Sequence, residues 1–271
     1  MSTASAPAHG PATGGGASPA SPARPARPGP RPATARWPAV AGLSYLAAWV
    51  AGLAVWPSNL AVNATSAQVT AAYQGHQAVA AIQYLLVEGL AGLLLGTVLT
   101  AVLRAAARGP RLAGVRPAAV LGILAVTISL LQCVLGLALV AAAADASRAG
   151  VLFELVNRLD GGKMLALAGI AAWLAARRGP ARSGPARRGP ARIGAAPSAA
   201  PRRDGGARLP RWLQIIAALA ALALAGSAVA YLLLADSVAG LVYLSGPLLL
   251  AWITGTGSWL TISRRRHPAY P

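Results

Sequence analysis

The segment spanning residues 153–169 concentrates charge in a chain that otherwise carries little of it. Its sequence is FELVNRLDGGKMLALAG, and it contains Lys163, the only lysine among the 24 lysine and arginine residues. Glu154, Arg158 and Asp160 come shortly before this lysine. Carboxylates and amines at such spacing can form ion pairs or exchange protons. This segment is therefore the first candidate for chemistry.

Three other polar side chains, Glu88, Gln132 and Ser227, interrupt stretches that are almost entirely apolar. Each of them, like Lys163, lies about 14 to 16 residues from an arginine at one end of its stretch. A helix rises 1.5 Å per residue, so the four side chains would lie about 21 to 24 Å from that end. The spacing predicts one polar layer in the outer half of a bilayer.

Within this layer, Glu88 and Lys163 are the acid and the base that we expect to need each other. An ionisable side chain at that depth costs about 2.5–3.5 kcal/mol and usually faces a partner in the bundle interior. We therefore expect Lys163 to reach Glu88, and the charges from Glu154 to Asp160 to lie on the surface. Two alternatives stay open: Lys163 extends to the headgroups, or a protonated Glu88 hydrogen bonds a neighbour such as Gln132.

Two glycines support an interior position for Glu88. Glu88, Gly92 and Gly96 are spaced by four and share one face of a helix. Gly92 and Gly96 form a GxxxG pair, which allows a second helix to approach closely. We predict that this face packs against another helix.

The composition of the chain predicts which secondary-structure elements position these polar residues. The chain is 56% hydrophobic and 11% charged, whereas soluble domains carry about 25% charged residues. A helix of about 20 apolar residues crosses a bilayer. The sequence predicts an all-α polytopic membrane protein, a bundle of six transmembrane helices. The predicted spans are Trp37–Trp56, Ala78–Leu103, Ala118–Ala144, Gly162–Ala176, Trp212–Ala235 and Leu241–Ile262.

The remaining segments are predicted to lie outside the bilayer. Residues 1–36 and 177–211 are rich in Pro, Gly, Ala and Arg, so we expect a disordered tail and a disordered basic linker between the fourth and fifth spans. The pattern of residues 147–160 predicts an amphipathic helix on the membrane surface. We expect Gly161–Gly162 to end this helix before the fourth span begins. Residues 263–271 form a short C-terminal tail.

Basic residues predict the orientation. With both termini in the cytoplasm, all of the basic residues except Arg148, Arg158 and Lys163 fall on the cytoplasmic side. This distribution satisfies the positive-inside rule. Three stretches, RWPAVAGLSYLAAWVAGL, ISLLQCVLGLAL and FELVNRLDGGKMLALA, resemble uncharacterised multi-spanning integral membrane proteins of actinobacteria. The resemblance covers about residues 37–262 without the linker. It implies membrane class and a bacterial plasma-membrane location, but no activity.

The sequence constrains the molecular function of the protein less than it constrains its structural class. No nucleophile–base pair, metal-ligand spacing or phosphate loop is present in the sequence, so we predict no catalytic residues, metal or cofactor, and no nucleic-acid partner. The favoured hypothesis is a non-catalytic packing, regulatory or accessory component, with basic segments on anionic lipid headgroups and a possible membrane-protein partner or homo-oligomer. The alternative is a small carrier or proton- or ion-coupled permease that uses Glu88, Gln132 and Lys163.

Overall fold

The computed structural model describes residues 36–56, 60–107, 115–177 and 209–266, and the described residues form helices and no strands. Most of the predicted N-terminal tail, basic linker and C-terminal tail lies outside these ranges. Within the described ranges, five helical segments are long and apolar enough to cross a membrane, which confirms the all-α polytopic class. They are Trp37–Val55, Gln77–Ala107, Val115–Ala141, Ala146–Ala176 and Arg211–Leu233.

The second of these segments has three parts, and short helices connect others. The helices in chain order are α1 (Trp37–Val55), α2 (Ser66–Tyr73), α3 (Gln77–Tyr84), a π-helical segment (Leu85–Leu90), α4 (Ala91–Ala107), α5 (Val115–Ala141), α6 (Ala146–Ala176), α7 (Arg211–Leu233), α8 (Asp236–Ala239) and α9 (Val242–Arg266). The long helices contact one another in a closed ring, in the order α1, α4, α5, α6, α7, α9 and back to α1. Side chains that point into this ring are surrounded by the other helices.

Neighbouring helices in the ring run antiparallel. Gly92 of α4 lies against Ser129 of α5, and further along the pair Leu99 lies against Gly122. A Cβ atom at Gly92 would lie only 3.0 Å from Ser129, and one at Gly96 only 3.3 Å from Val126. The prediction that Gly92 and Gly96 face another helix is therefore confirmed, and that helix is α5.

The antiparallel order brings arginines together at one end of the ring. Arg104 lies in the last turn of α4, Arg116 is the second residue of α5, Arg177 follows α6 and Arg211 begins α7. Because α4, α5, α6 and α7 alternate in direction, all four arginines belong to the same end. This geometry agrees with the arginine distribution from which the sequence predicts a cytoplasmic face.

The sixth predicted span lies in α9. This helix has 25 residues and includes Pro247, but it is not among the five segments that are also apolar enough to qualify as spans. It packs between α7 and α1, with the Thr254 hydroxyl donating to the carbonyl of Gly42 at 3.2 Å. Its place in the ring is compatible with a sixth crossing, and the number of crossings stays a prediction.

The predicted break at Gly161–Gly162 is wrong. α6 is one helix of 31 residues that runs through both glycines, so no separate surface helix ends at Asp160. Gly161 has a packing role instead, because a Cβ atom there would lie 2.7 Å from Leu232 Cγ and 3.0 Å from the carbonyl oxygen of Ala228. The glycine therefore lets α7 approach α6 closely.

A small second core covers one end of the ring. Val69 and Tyr73 of α2 pack with Leu139 of α5 and Phe153 of α6. The hydroxyl groups of Tyr73 and Tyr84 lie 2.9 Å apart and join α2 to α3. Thr65 begins α2 with a capping box, a local signal that favours a helix start. This end lies opposite to the arginine end.

Candidate functional site

Three ionisable side chains meet inside the ring. The Nζ atom of Lys163 lies 2.7 Å from Oε2 and 2.9 Å from Oε1 of Glu88, and 2.7 Å from Oδ1 of Asp160. Glu88 comes from the π-helical segment, whereas Lys163 and Asp160 stand three residues apart on α6. α5 lies between α4 and α6 in the ring, so the long side chains meet across the interior. We call Glu88, Asp160 and Lys163 the charge cluster.

Two polar side chains of α5 complete the surroundings of the charge cluster. The Ser129 hydroxyl donates to Oε2 of Glu88 at 2.7 Å. The Gln132 amide nitrogen donates to the Val156 carbonyl at 3.1 Å and to Oδ1 of Asp160 at 3.3 Å. Ser129 and Gln132 are three residues apart, so one face of α5 serves both carboxylates.

Burial differs between the two carboxylates. Side-chain exposure is 8% for Lys163 and 11% for Glu88 but 19% for Asp160. A buried charge is tolerated only when it is paired and hydrogen bonded, and each of these charges has such partners. Asp160 is therefore the most exposed member of the charge cluster.

A local departure from α-helical geometry positions Glu88. Residues Leu85–Leu90 form a π-helix, in which the amide of Ala91 donates to the carbonyl of Leu86, five residues back. Glu88 lies within this segment. π-helices account for well under 1% of residues in proteins and occur frequently at functional sites. Because a π-helical turn contains an extra residue, it changes the direction in which Glu88 leaves the helix relative to an unbroken α-helix.

The predicted contact between Lys163 and Glu88 is confirmed. Lys163 does not extend to the headgroups, because its amine is buried against two carboxylates. The alternative that Glu88 bonds Gln132 is wrong as well. Gln132 bonds Asp160, and the hydroxyl group that reaches Glu88 belongs to Ser129.

The prediction that Asp160 lies on the surface is wrong. It rested on a helix that ends at Gly161, which would have separated Asp160 from Lys163. In the continuous α6 the two residues are i and i+3, a spacing at which side chains on one helix face meet. The i,i+3 spacing of Asp160 and Lys163 is visible in the sequence, but it predicts a contact only if one helix continues through Gly161–Gly162. The neighbouring pair of Glu154 and Arg158 is exposed, as predicted.

Ser227 does not join the charge cluster through a hydrogen bond. Its hydroxyl donates to the Ser245 hydroxyl at 3.0 Å, which links α7 to α9. Both serines are buried. Of the four residues in the predicted polar layer, Glu88, Gln132 and Lys163 thus share one hydrogen-bonded group, whereas Ser227 belongs to a helix contact.

The arrangement is suited to holding and exchanging a cation. Two carboxylates face one ammonium group, and the amide oxygen of Gln132 has no hydrogen-bond partner although it is buried. Among the residues that the structure describes, no three His, Cys, Asp or Glu side chains converge on a potential metal position. The chemistry available at the charge cluster is proton transfer and the binding of a positive charge by oxygen atoms.

Comparisons of the chain with models of protein families, with curated proteins and with solved structures found no match. The resemblance to actinobacterial membrane proteins stays a prediction. The argument for function therefore depends on the geometry of the charge cluster.

Proposed function

We propose that this chain is a multi-pass protein of a bacterial plasma membrane that works as a small proton-coupled carrier. The observation that carries the proposal is the imbalance of the charge cluster, in which one ammonium group faces the two carboxylates of Glu88 and Asp160. A group of this kind can gain and lose a proton as a substrate moves. The arginine end of the ring would face the cytoplasm, with both termini on that side.

The energetic argument starts from the cost of the charges. Each ionisable side chain deep in a span costs about 2.5–3.5 kcal/mol, and such residues generally mark functional sites. A buried ion pair stabilises a fold no better than well-packed apolar residues of similar volume. A third ionisable side chain, the partly buried Asp160, exceeds what the pairing of Glu88 with Lys163 requires. The π-helix around Glu88 is a second feature that packing alone does not require.

The inclusion of Asp160 changes the preference between the two functional hypotheses. With one acid and one base, the sequence favours an accessory role, because a neutral pair has little to exchange. With two acids and one base, one carboxyl group exceeds what the ammonium group of Lys163 can neutralise, and a proton bound by that carboxyl group would balance the charge. We therefore favour the carrier over the accessory component.

An accessory role remains the second candidate, and a groove on the outside of the ring favours it. The groove has a volume of about 570 Å³ and lies between α6 and α7. Small residues line it, namely Ala172, Ala175, Ala176, Ala218 and Ala221, with Arg211 and Gln214 among the other lining residues. Small residues allow close helix approach in membranes, so a helix of another membrane protein would fit there.

Proton flux tests the carrier directly. Purified protein is reconstituted into liposomes that contain a pH-sensitive dye, and a pH gradient is imposed. We expect flux above that of protein-free liposomes, and loss of that flux in Glu88→Gln and Asp160→Asn. Glu154→Gln, which removes an exposed carboxylate from the same helix, is the matched control and should keep the flux. Equal flux in all samples, with every variant folded, would contradict the proposal and favour the accessory role.

A further inference from the structure

The groove between α6 and α7 has one polar end and an otherwise apolar lining. Arg211 and Gln214 are its polar lining residues, and both belong to the first four residues of α7, at the arginine end of the ring. The other lining residues are all alanine, isoleucine or leucine. Among them, Ile215 and Leu222 are largely exposed. An occupant of the groove must therefore combine a polar or charged end with an apolar body.

The length of the groove matches one leaflet of a bilayer. Its lining extends along α7 from Arg211 to Leu222, which at 1.5 Å per residue is about 16 Å. The hydrocarbon core of a bilayer is about 30 Å thick, so a groove that begins at the headgroups reaches about the midplane. A volume of about 570 Å³ over that length gives a width of roughly 6 Å, against about 10–12 Å for a helix with its side chains. A single acyl chain fits this space, whereas a helix would insert only side chains.

The charge at the arginine end of the groove favours an anion. Arg211 is exposed, and it forms no hydrogen bond or ion pair with another residue that the structure describes. No side chain caps the first amide groups of α7, so the positive end of the helix adds to the charge of Arg211. On α6, the guanidinium group of Arg177 lies 4.2 Å from the centre of the Trp173 ring and brings a second positive charge to this end.

A helix of a second membrane protein complements this charge less well than a phospholipid does. The cytoplasmic ends of membrane spans are enriched in lysine and arginine, so a neighbouring span would place like charges beside Arg211. A phospholipid carries a phosphate group and acyl chains in one molecule, and the cytoplasmic leaflet contains anionic lipids. One such molecule would satisfy both the polar end and the apolar lining of the groove.

We propose that the groove between α6 and α7 binds one anionic phospholipid of the cytoplasmic leaflet. Its phosphate group lies at Arg211, and one acyl chain extends along Ala172, Ala176 and Ala218. The alanine side chains end at Cβ and leave the space that the acyl chain fills. The lipid site lies on the outside of the ring, away from the charge cluster, so it does not depend on the proposed proton-coupled carrier.

Native mass spectrometry of the purified full-length protein in a mild detergent tests the proposal. Phosphatidylglycerol is titrated into the protein, and phosphatidylcholine with the same acyl chains is the comparison without net charge. We expect one phosphatidylglycerol per chain to bind before any other. Phosphatidylcholine should bind about fivefold more weakly, since one arginine near a membrane surface contributes about 1 kcal/mol.

Two variants test the two parts of the lipid site. Ala172→Leu adds a larger side chain inside the groove at an exposed position of α6. Both lipids should then bind about tenfold more weakly, because the acyl chain loses apolar contact. Arg211→Gln leaves the groove open and should weaken phosphatidylglycerol about fivefold, with little change for phosphatidylcholine.

Two further variants are matched controls outside the groove. Ala51→Leu makes the same change at an exposed position of α1, and Arg104→Gln removes an arginine of the same end from α4. Both should bind the two lipids as the wild type does. Thermal unfolding of every variant confirms that it is folded.

Each of four results would overturn the proposal. Phosphatidylglycerol binding that is unchanged in both Ala172→Leu and Arg211→Gln would assign the lipid to another basic part of the chain. Weakening by Arg211→Gln alone would mean that charge attracts the lipid without an acyl chain in the groove. Equal binding of the two lipids would exclude an anionic headgroup. A dimer without bound lipid that Ala172→Leu disrupts would assign the groove to a helix of a second copy.

Discussion

Two ion pairs on α6 have similar chemistry and opposite surroundings. Glu154 and Arg158 lie 2.7 Å apart with about half of each side chain exposed. Asp160 and Lys163, which follow directly, lie 2.7 Å apart with 19% and 8% exposure. The first pair is exposed and is expected to contribute about 0.3–0.5 kcal/mol, as exposed i,i+4 pairs on helices do. In the second, a missing partner leaves a charge buried in the ring.

The difference between the pairs comes from the helices around α6. Beyond its own helix, Arg158 donates to the Leu232 carbonyl of α7, whereas Lys163 meets Glu88 from across the ring. Spacing along one helix therefore establishes that two charges can pair. The surrounding helices determine how buried the pair is, and therefore how much free energy is lost when one of its partners is removed.

The largest expected effect is the loss of the cation from the buried pair. Lys163→Met leaves Glu88 and Asp160 without their shared ammonium group, and breaking a buried ion pair costs about 3–5 kcal/mol. Arg158→Met is the matched control on the exposed pair and should cost less than about 1 kcal/mol. Denaturant unfolding of the purified protein in detergent measures both.

Restoring charge balance should recover much of the loss. Glu88→Gln combined with Lys163→Met leaves only Asp160, which has more exposure, and adding Asp160→Asn removes the last charge of the cluster. We expect stability to rise from the single to the double to the triple variant, because residues in one network are not additive. Strictly additive losses would show that the three side chains do not act as one network.

The second expected effect concerns the two glycines that separate Asp160 from Lys163. Gly161→Ala should destabilise the protein by about 1–3 kcal/mol, because the added Cβ meets Leu232 and the Ala228 backbone on α7. Gly162→Ala is its matched control. A Cβ there would meet Ile128 at 3.7 Å, an ordinary contact, and alanine favours a helix over glycine by about 0.5–1 kcal/mol. Equal effects of the two substitutions would contradict the close approach of α7 to this face.

The sequence predicts the class of the fold well because hydropathy and length are physical requirements of a bilayer. Apolar stretches of about 20 residues specify spanning helices without reference to neighbours. The division of residues 147–176 failed for the opposite reason. A pair of glycines favours a break in isolation, whereas here the packing of Gly161 against α7 keeps the helix continuous. The residues of α7 that pack against Gly161 are far from it in the sequence, so local sequence patterns do not predict this contact.

The sequence predicts those contacts of the site that follow from the depth of a residue in the bilayer alone. Glu88 and Lys163 are the deepest acid and base, and membrane burial requires them to pair. Ser129 and the π-helix around Glu88 carry no comparable signal, because a serine in a span is common and a π-helical turn depends on tertiary packing. Ser227 matched the predicted depth but turned toward α9. The position of a residue along its helix predicts its depth in the bilayer. The orientation of each helix about its own axis determines which side chains at that depth come into contact.

The smallest effect concerns Asp145, a third acid on α6 whose neighbours are local. It caps α6, and its Oδ1 accepts the Ser147 hydroxyl at 2.8 Å and the amide of Arg148 at 3.3 Å. The hydrogen bond from the Ser147 hydroxyl, followed by that from the Arg148 amide, holds the pKa of Asp145 below its usual value. Because the folded-state pKa is lowered, the stabilisation by the cap is present above the unfolded-state pKa of about 3.9 and is lost as the pH falls through the folded-state pKa.

An NMR titration of the Asp145 carboxyl carbon measures this pKa directly, and we expect a value below about 3.9. Ser147→Ala removes the hydroxyl donor and should raise the pKa toward that ordinary value, whereas Glu154→Gln, which does not touch the cap, should leave it unchanged. Salt should have little effect, because the leading cause is a hydrogen bond and the Arg148 charge contributes less. A pKa that rises strongly with salt, or that ignores Ser147→Ala, would mean that charge acts on this exposed carboxylate as it does in the buried cluster. The contrast between local hydrogen bonding at the helix start and shared charge inside the ring would then be wrong.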